Sequence, residues 1–161
     1  MFCVDVAHAH AKYVGRTLSK IRSFLGDDAC IMAGNVVTYA GADYLASHGA
    51  DIIKVGIGGG SVCTTRLKTG FGVPNLTAIQ NCSRVSRSIV ADGGIRYPGD
   101  IVKALAFGAD FVMIGSMLAG TTPTPGKVIE RKCKDGKTRL FKRYRGMASK
   151  EVQIEHRGGM A

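Results

Sequence analysis

Apolar and polar positions along this chain alternate between two rhythms. Short apolar runs at Phe2 to Val6, Ile31 to Val36, Asp51 to Ile57, Ser88 to Asp92 and Phe111 to Gly115 read as strands. Between them apolar residues return at helical spacing. Val14, Leu18, Ile21 and Leu25 step by four, three and four, which predicts a helix ending near Gly26. A short helix around Ala42 to His48 stops at Gly49, and Leu76, Ile79 and Val85 mark another after Pro74. Pro98 suits the first turn of a helix that runs to Phe107, with Gly108 at its end. Strands alternating with helices predict βαβ units around a parallel sheet. The rhythm then changes: Asp135-Gly136 lies between two strand-like runs, which predicts an antiparallel hairpin from Lys127 to Tyr144.

The chain also echoes itself. G-A-D-I-I-K-V-G-I-G from Gly49 returns as G-A-D-F-V-M-I-G-S from Gly108, and M-A-G-N-V and V-A-D-G-G are offset by a similar distance. Duplicated β/α units suit a (β/α)8 TIM barrel better than a doubly wound sheet. The expected fold is therefore α/β, with about five of the barrel's eight units in residues 1–126.

Composition narrows the class. The chain has 161 residues, 45% of them hydrophobic and 21% charged, with a mean hydropathy of +0.09, enough to bury a core and unlike a disordered segment. No apolar run approaches bilayer length, and M-F-C-V-D-V-A-H lacks the basic and apolar regions of a signal peptide, so a soluble, cytoplasmic protein is expected. Cys3, Cys30, Cys63, Cys82 and Cys133 form no C-x-x-C pair and are odd in number, which suggests neither a zinc site nor a disulfide framework. Apart from Cys63 they read as small core or surface residues.

The net charge of +10 invites a nucleic-acid reading. Much of the excess lies between Lys127 and Arg145, where few aromatics occur and no helix-turn-helix, RNA-recognition or zinc-finger pattern appears. A solvated basic hairpin that helps attract an anionic substrate fits better, and neither nucleic acid nor membrane is an expected partner. His8 and His10 flank a strand end with no third metal ligand at sensible spacing, so a structural role is expected.

Chemistry-bearing residues gather just past the predicted strand ends: Asp5, His8, Asn35, Gly56 to Cys63, Asp92 to Gly94, Gly115 and Ser116. In a barrel that is the carboxyl-terminal face, where active sites lie. Among them K-V-G-I-G-G-G-S-V-C-T-T-R places one thiol, Cys63, on a glycine-rich loop able to approach a ligand closely, the pattern of a nucleophile. D-G-G-I-R-Y-P-G-D and I-G-S-M-L-A-G-T are glycine-bearing turns into helices, suited to a phosphate.

Those loops, with D-V-A-H-A-H, M-A-G-N-V-V-T and Y-R-G-M-A-S, resemble in sequence and order the IMP dehydrogenase and GMP reductase family across almost the whole chain. The resemblance implies a barrel, usually assembled as a homotetramer, acting at C2 of a purine nucleoside monophosphate with NAD or NADPH. Cys63 resembles the nucleophile, Thr65 the hydroxyl beside it and Glu151 a reductase's acidic residue, one place late. Asp92 resembles the ribose-binding carboxylate. Ser61, Gly93, Gly94, Gly115, Ser116 and Tyr144 resemble phosphate-side positions, and Gly146 and Met147 those beside the base. Asp5, Asn35 and Gly56 resemble the cofactor side. Backbone carbonyls near Gly58, Gly60 and Cys63 match a potassium site of the family.

M-A-G-N-V-V-T and K-T-G favour GMP reductase, whereas A-D-G-G-I-R and Y-R-G-M favour IMP dehydrogenase. The expectation leans to the reductase, with the dehydrogenase as alternative and an inactive nucleotide-binding or assembly module as a second. Gly59 replaces the family's usual proline and Ala9 its glycine. By this reading residues 127–161 hold the hairpin and the start of the family's flap, and the chain corresponds to strands four to eight. It is expected to be a fragment, or to need its missing barrel portion from another chain.

Overall fold

In the computed structural model, which describes residues 1–146 and 149–157, seven strands and six helices follow in order. They are β1 (Phe2–Asp5), α1 (Lys12–Leu25), β2 (Ile31–Val36), α2 (Tyr39–Ser47), β3 (Ile52–Val55), α3 (Thr65–Thr69), α4 (Asn75–Cys82), β4 (Ser88–Asp92), α5 (Pro98–Ala106), β5 (Phe111–Met113), β6 (Val128–Lys132), β7 (Thr138–Lys142) and α6 (Lys150–Arg157).

The first five strands form one sheet in the order β1-β2-β3-β4-β5, every neighbouring pair parallel. That is the βαβ sheet the sequence predicts. β2, β3 and β4 are buried along most of their length, with helix side chains packed against them. Leu18 of α1, Leu45 of α2 and Ile79 of α4 meet Ile31, Ile53 and Ile89 of the sheet in a single core. Both outer strands keep apolar side chains in the open, with Phe2 50% and Phe111 55% exposed. β6 and β7 pair antiparallel around Asp135-Gly136, where Gly136 takes a positive φ of 79°, as the D-G dipeptide predicts.

Three strands are shorter than their apolar runs. β1 stops at Asp5, β3 covers Ile52–Val55 and β5 ends at Met113, because the last apolar residues of each run already belong to site loops. α2 starts before Ala42, since the Thr38 side chain accepts a hydrogen bond from the Gly41 N–H and caps it. α3 and α6 lie where the sequence shows no helical periodicity.

The sequence echo is a repeated turn. Ala50 N–H bonds the Leu45 carbonyl and Asp51 N–H the Ile31 carbonyl; Ala109 N–H bonds Ala104 and Asp110 N–H bonds Ile89 in the same way. Each aspartate carboxylate then returns to the N–H of the strand it faces, Asp51 to Ile31 at 2.8 Å and Asp110 to Ile89 at 2.7 Å. The G-A-D triplet thus closes a helix and fastens the next strand to its neighbour.

Asp51 has a second partner, the Arg22 guanidinium. Burial pushes its carboxyl up, but the Ile31 N–H and the hydrogen bond and charge of Arg22 outweigh that and hold it below the usual carboxylate range. A lowered folded value stabilises the fold above the unfolded value near pH 4 and is lost as pH falls through the folded one. The melting-temperature gap between wild type and Asp51→Asn is therefore expected to be full at neutral pH and to close below about pH 4. A gap that widens on acidification contradicts this.

Candidate active site

Strand register builds the centre of the site. Asp5 of β1 sits beside Gly34 of β2, and Gly34 beside Lys54 of β3. Lys54 is only 2% exposed, and its Nζ lies 3.0 Å from Asp5 Oδ1 and 3.0 Å from Asp92 Oδ2 at the end of β4. Burial alone would lower the ammonium's pKa, but its hydrogen bond to Asp5 and the charge of Asp92 outweigh burial and raise it, so the cation is retained. Asn35 completes the cluster by donating from Nδ2 to Asp92 Oδ2 (2.8 Å) and to the Gly56 carbonyl (2.6 Å). Its Oδ1 is buried and has no hydrogen-bond partner. The periodicity did not reveal Lys54, yet a signal existed: a lone lysine inside A-D-I-I-K-V-G, a strand otherwise apolar, demands buried partners.

The cysteine loop rises from the same strand and is seated by two glycines. At Gly56, φ is +141° and an added Cβ would lie 2.2 Å from the Asp92 carbonyl oxygen. At Gly93, with φ +84°, a Cβ would lie 2.9 Å from the Gly60 nitrogen. The ends of β3 and β4 and the thiol loop therefore approach more closely than side chains permit. Cys63 N–H closes the turn onto the Gly60 carbonyl at 3.0 Å, and the exposed Cys63 thiol donates to Thr65 Oγ1 at 3.2 Å. Thr65 opens α3, the short helix that periodicity overlooked.

A cavity of about 450 Å³ brings these groups together, lined by Asp5, Asn35, Gly56, Cys63, Thr65 and also Gln153. A second cavity of about 450 Å³ adjoins it through Ile57 and Thr65, with apolar walls that include Val37, Phe71 and Val73. Glu151, the sequence candidate on α6, is exposed and does not line either cavity; Gln153, two residues on, lines the first.

The remaining candidates fall into neighbouring loops. A Cβ at Gly115 would lie 2.6 Å from Tyr144 Oη, so these two positions, expected from the sequence on the phosphate side, touch within a cavity of about 510 Å³ that Arg143 and Arg145 also line. Arg145 is itself paired with Glu155. Gly93 and Gly94 line a smaller cavity with Asp100, whose carboxylate accepts from the Arg96 and Tyr97 N–H groups. Ser61 and Ser116 are exposed. A Cβ at Gly146 would lie 3.1 Å from Val62, so the segment expected beside the base does reach the thiol loop. Met147 lies outside the described residues.

The other thiols differ in kind. Cys82 is buried, and burial pushes it up to about 12. Cys30 and Cys133 are half-buried and Cys3 is exposed, so only Cys82 is a core residue. His10 lies between His8 and Tyr44, at ring-centroid distances of 6.5 and 5.1 Å. Among the described residues no group of three His, Cys, Asp or Glu side chains could hold a metal ion, and no helix is long and apolar enough to cross a membrane.

The family model described as IMP dehydrogenase / GMP reductase domain matches residues 1–160. An inosine-5'-monophosphate dehydrogenase of Aquifex aeolicus is 49% identical over 150 residues, covering 91% of this chain and 29% of the relative. A GMP reductase of Vibrio cholerae is 45% identical over 163 residues, covering 99% and 45%. Among solved structures, an inosine 5' monophosphate dehydrogenase from Legionella pneumophila superposes with a TM-score of 0.81 at 71% identity, covering 99% of this chain and 48% of that one. A GMP reductase from Trypanosoma brucei in complex with guanosine 5'-monophosphate gives a TM-score of 0.88 at 40% identity, covering 98% and 33%. The chain thus spans less than half the length of each of these relatives.

Proposed function

We propose, because this chain belongs to the IMP dehydrogenase / GMP reductase family, that it carries the thiol-bearing part of an oxidoreductase acting at C2 of a purine nucleoside monophosphate. The observation that carries this reading is the cavity in which the Cys63 thiol and the Thr65 hydroxyl face Asp5 and Asn35. Asp92, fixed by Lys54 and Asn35, is an acceptor-only group suited to two ribose hydroxyls. The Gly94 and Gly115 loops, with Ser61, Ser116 and Tyr144, offer backbone and hydroxyl donors to the phosphate.

In the reductive direction Cys63 sulfur gives up its proton and bonds to C2 of GMP, and the C2 amino group takes up one proton and leaves as ammonia as the C2–N bond breaks. The S–C2 bond breaks after C2 has gained a hydride, giving IMP and the free thiolate. In the oxidative direction C2 of IMP loses the hydride while bonded to sulfur, and water displaces the sulfur to give XMP. Thr65 Oγ1, 3.2 Å from the thiol, is placed to hold the incoming or departing water or ammonia and pass its proton.

A nicotinamide cofactor, when bound, supplies or accepts that hydride. The residues present fit one: the unpartnered, buried Oδ1 of Asn35 can accept an amide N–H, Asp5 can accept hydroxyls, and the adjoining apolar cavity can cover a flat ring. Carbonyls of Gly58, Gly60 and Cys63 would offer oxygen-only donors to a potassium ion, the Gly60 oxygen also accepting from the Cys63 N–H. Assembly as a homotetramer, or with the rest of the barrel, belongs to the same reading.

The reductase direction is preferred on M-A-G-N-V-V-T and K-T-G. A second reading, the dehydrogenase, is favoured by the 71% identity with the Legionella protein. Absorbance near 340 nm separates them: a fall with GMP and NADPH is expected for the reductase, and a rise with IMP and NAD shows the dehydrogenase instead. Nucleotide binding with neither change, and with no mass-spectrometric adduct on Cys63, points to an inactive binding module.

A further inference from the structure

We infer that Lys54 is a positioning residue that holds Asp5 and Asp92 at once, so that one buried ammonium sets the geometry of both the cofactor side and the nucleotide side. The inference rests on the proposed function for the identity of the two ligands, and on the strand geometry for the rest.

Asp5 and Lys54 stand on strands separated by β2, a spacing of about 10 Å between backbones. A lysine stem spans that gap only if nothing stands on β2 between them. Gly34 is the residue in register there, and a Cβ on it would lie 2.4 Å from Lys54 Cβ and 2.6 Å from the Lys54 carbonyl oxygen. The bare backbone at 34 lets β2 lie close against the root of Lys54, and Lys54 Nζ lies 3.0 Å from each carboxylate.

The two carboxylates differ in what else holds them. Asp92 also accepts from Asn35, whereas Lys54 is the ionic partner found for Asp5, which is 59% exposed. Lys54 is the side chain common to both, and without it two anions share a site with no cation between them.

A double-mutant cycle on the whole assembled protein tests this, with GMP and NADPH binding measured separately by calorimetry. Lys54→Met is expected to weaken each ligand about tenfold or more, while Lys54→Arg stays within about threefold of wild type. In an Asp92→Asn background Lys54→Met should cost little further GMP affinity, and in an Asp5→Asn background little further NADPH affinity. Full additivity in both cycles would show a merely structural lysine and overturn the inference, as would unchanged affinities in Lys54→Met. If Lys54→Met does not fold, Lys54→Gln enters the same cycles with the same criteria. A wild type that binds neither ligand sinks the proposed function, whereas a wild type that binds both with an indifferent lysine sinks only this inference.

Discussion

Cys63→Ala is expected to lower turnover by roughly a thousandfold or more while leaving nucleotide affinity within a few-fold of wild type. The split follows from the geometry. The thiol protrudes from a turn closed by its own N–H on Gly60, so its removal does not unseat the loop. Asp92, Asn35 and Lys54 remain in place, so the proposed ribose site keeps its contacts. The substitution should also abolish any covalent nucleotide adduct seen by mass spectrometry. Cys133→Ala, in the turn of the separate β6–β7 hairpin, is the control and is expected to change neither quantity. Turnover that survives Cys63→Ala, or an adduct on another cysteine, would remove Cys63 from its role.

Gly56→Ala is the second large effect. The positive φ of 141° already disfavours any L side chain, and the new methyl group would stand 2.2 Å from the Asp92 carbonyl oxygen, a backbone atom that cannot rotate aside. β3 and β4 must separate at their carboxyl ends. That separation also strains the 2.6 Å hydrogen bond from Asn35 to the Gly56 carbonyl and carries the Gly58 to Cys63 loop with it. A loss of roughly 2 to 4 kcal/mol in unfolding free energy is expected, from backbone strain and overpacking together. Turnover should fall further than stability when assayed well below the melting temperature, because the Cys63 thiol and the Asp92 carboxylate move apart. A variant within about 0.5 kcal/mol of wild type in a urea titration would show that the strand ends yield more easily than their packing implies.

The sheet was legible because its strands are apolar on both faces and its helices on one. β2 and β4 fall at the predicted residues, and α1 and α5 end at the predicted glycine and within a residue of the predicted phenylalanine. What periodicity overlooked is short or polar. α3 is only five residues long with no buried position, and α6 carries mostly charged and polar side chains with Val152 as its buried contact. The candidate site was legible as motif and order along the chain, since loops after strand ends carry distinctive glycines. Its interior was not. The Lys54 bridge depends on the lateral register of β1, β2 and β3, which no local pattern encodes, and Gln153 reaches the cavity only because α6 folds back toward the thiol. On the same helix Glu151 is exposed and lines neither cavity, whereas Gln153 lines the one that holds the thiol.

The close approach of β2 to β3 also fixes what position 34 can hold. A side chain there would meet the carbonyl oxygen, Cα and Cβ of residue 54, atoms that stay in place whichever side chain follows them. The demand for a bare backbone at 34 therefore comes from the main chain of β3 and not from the charge at its neighbour, so exchanging the lysine leaves the glycine as hard to replace as before.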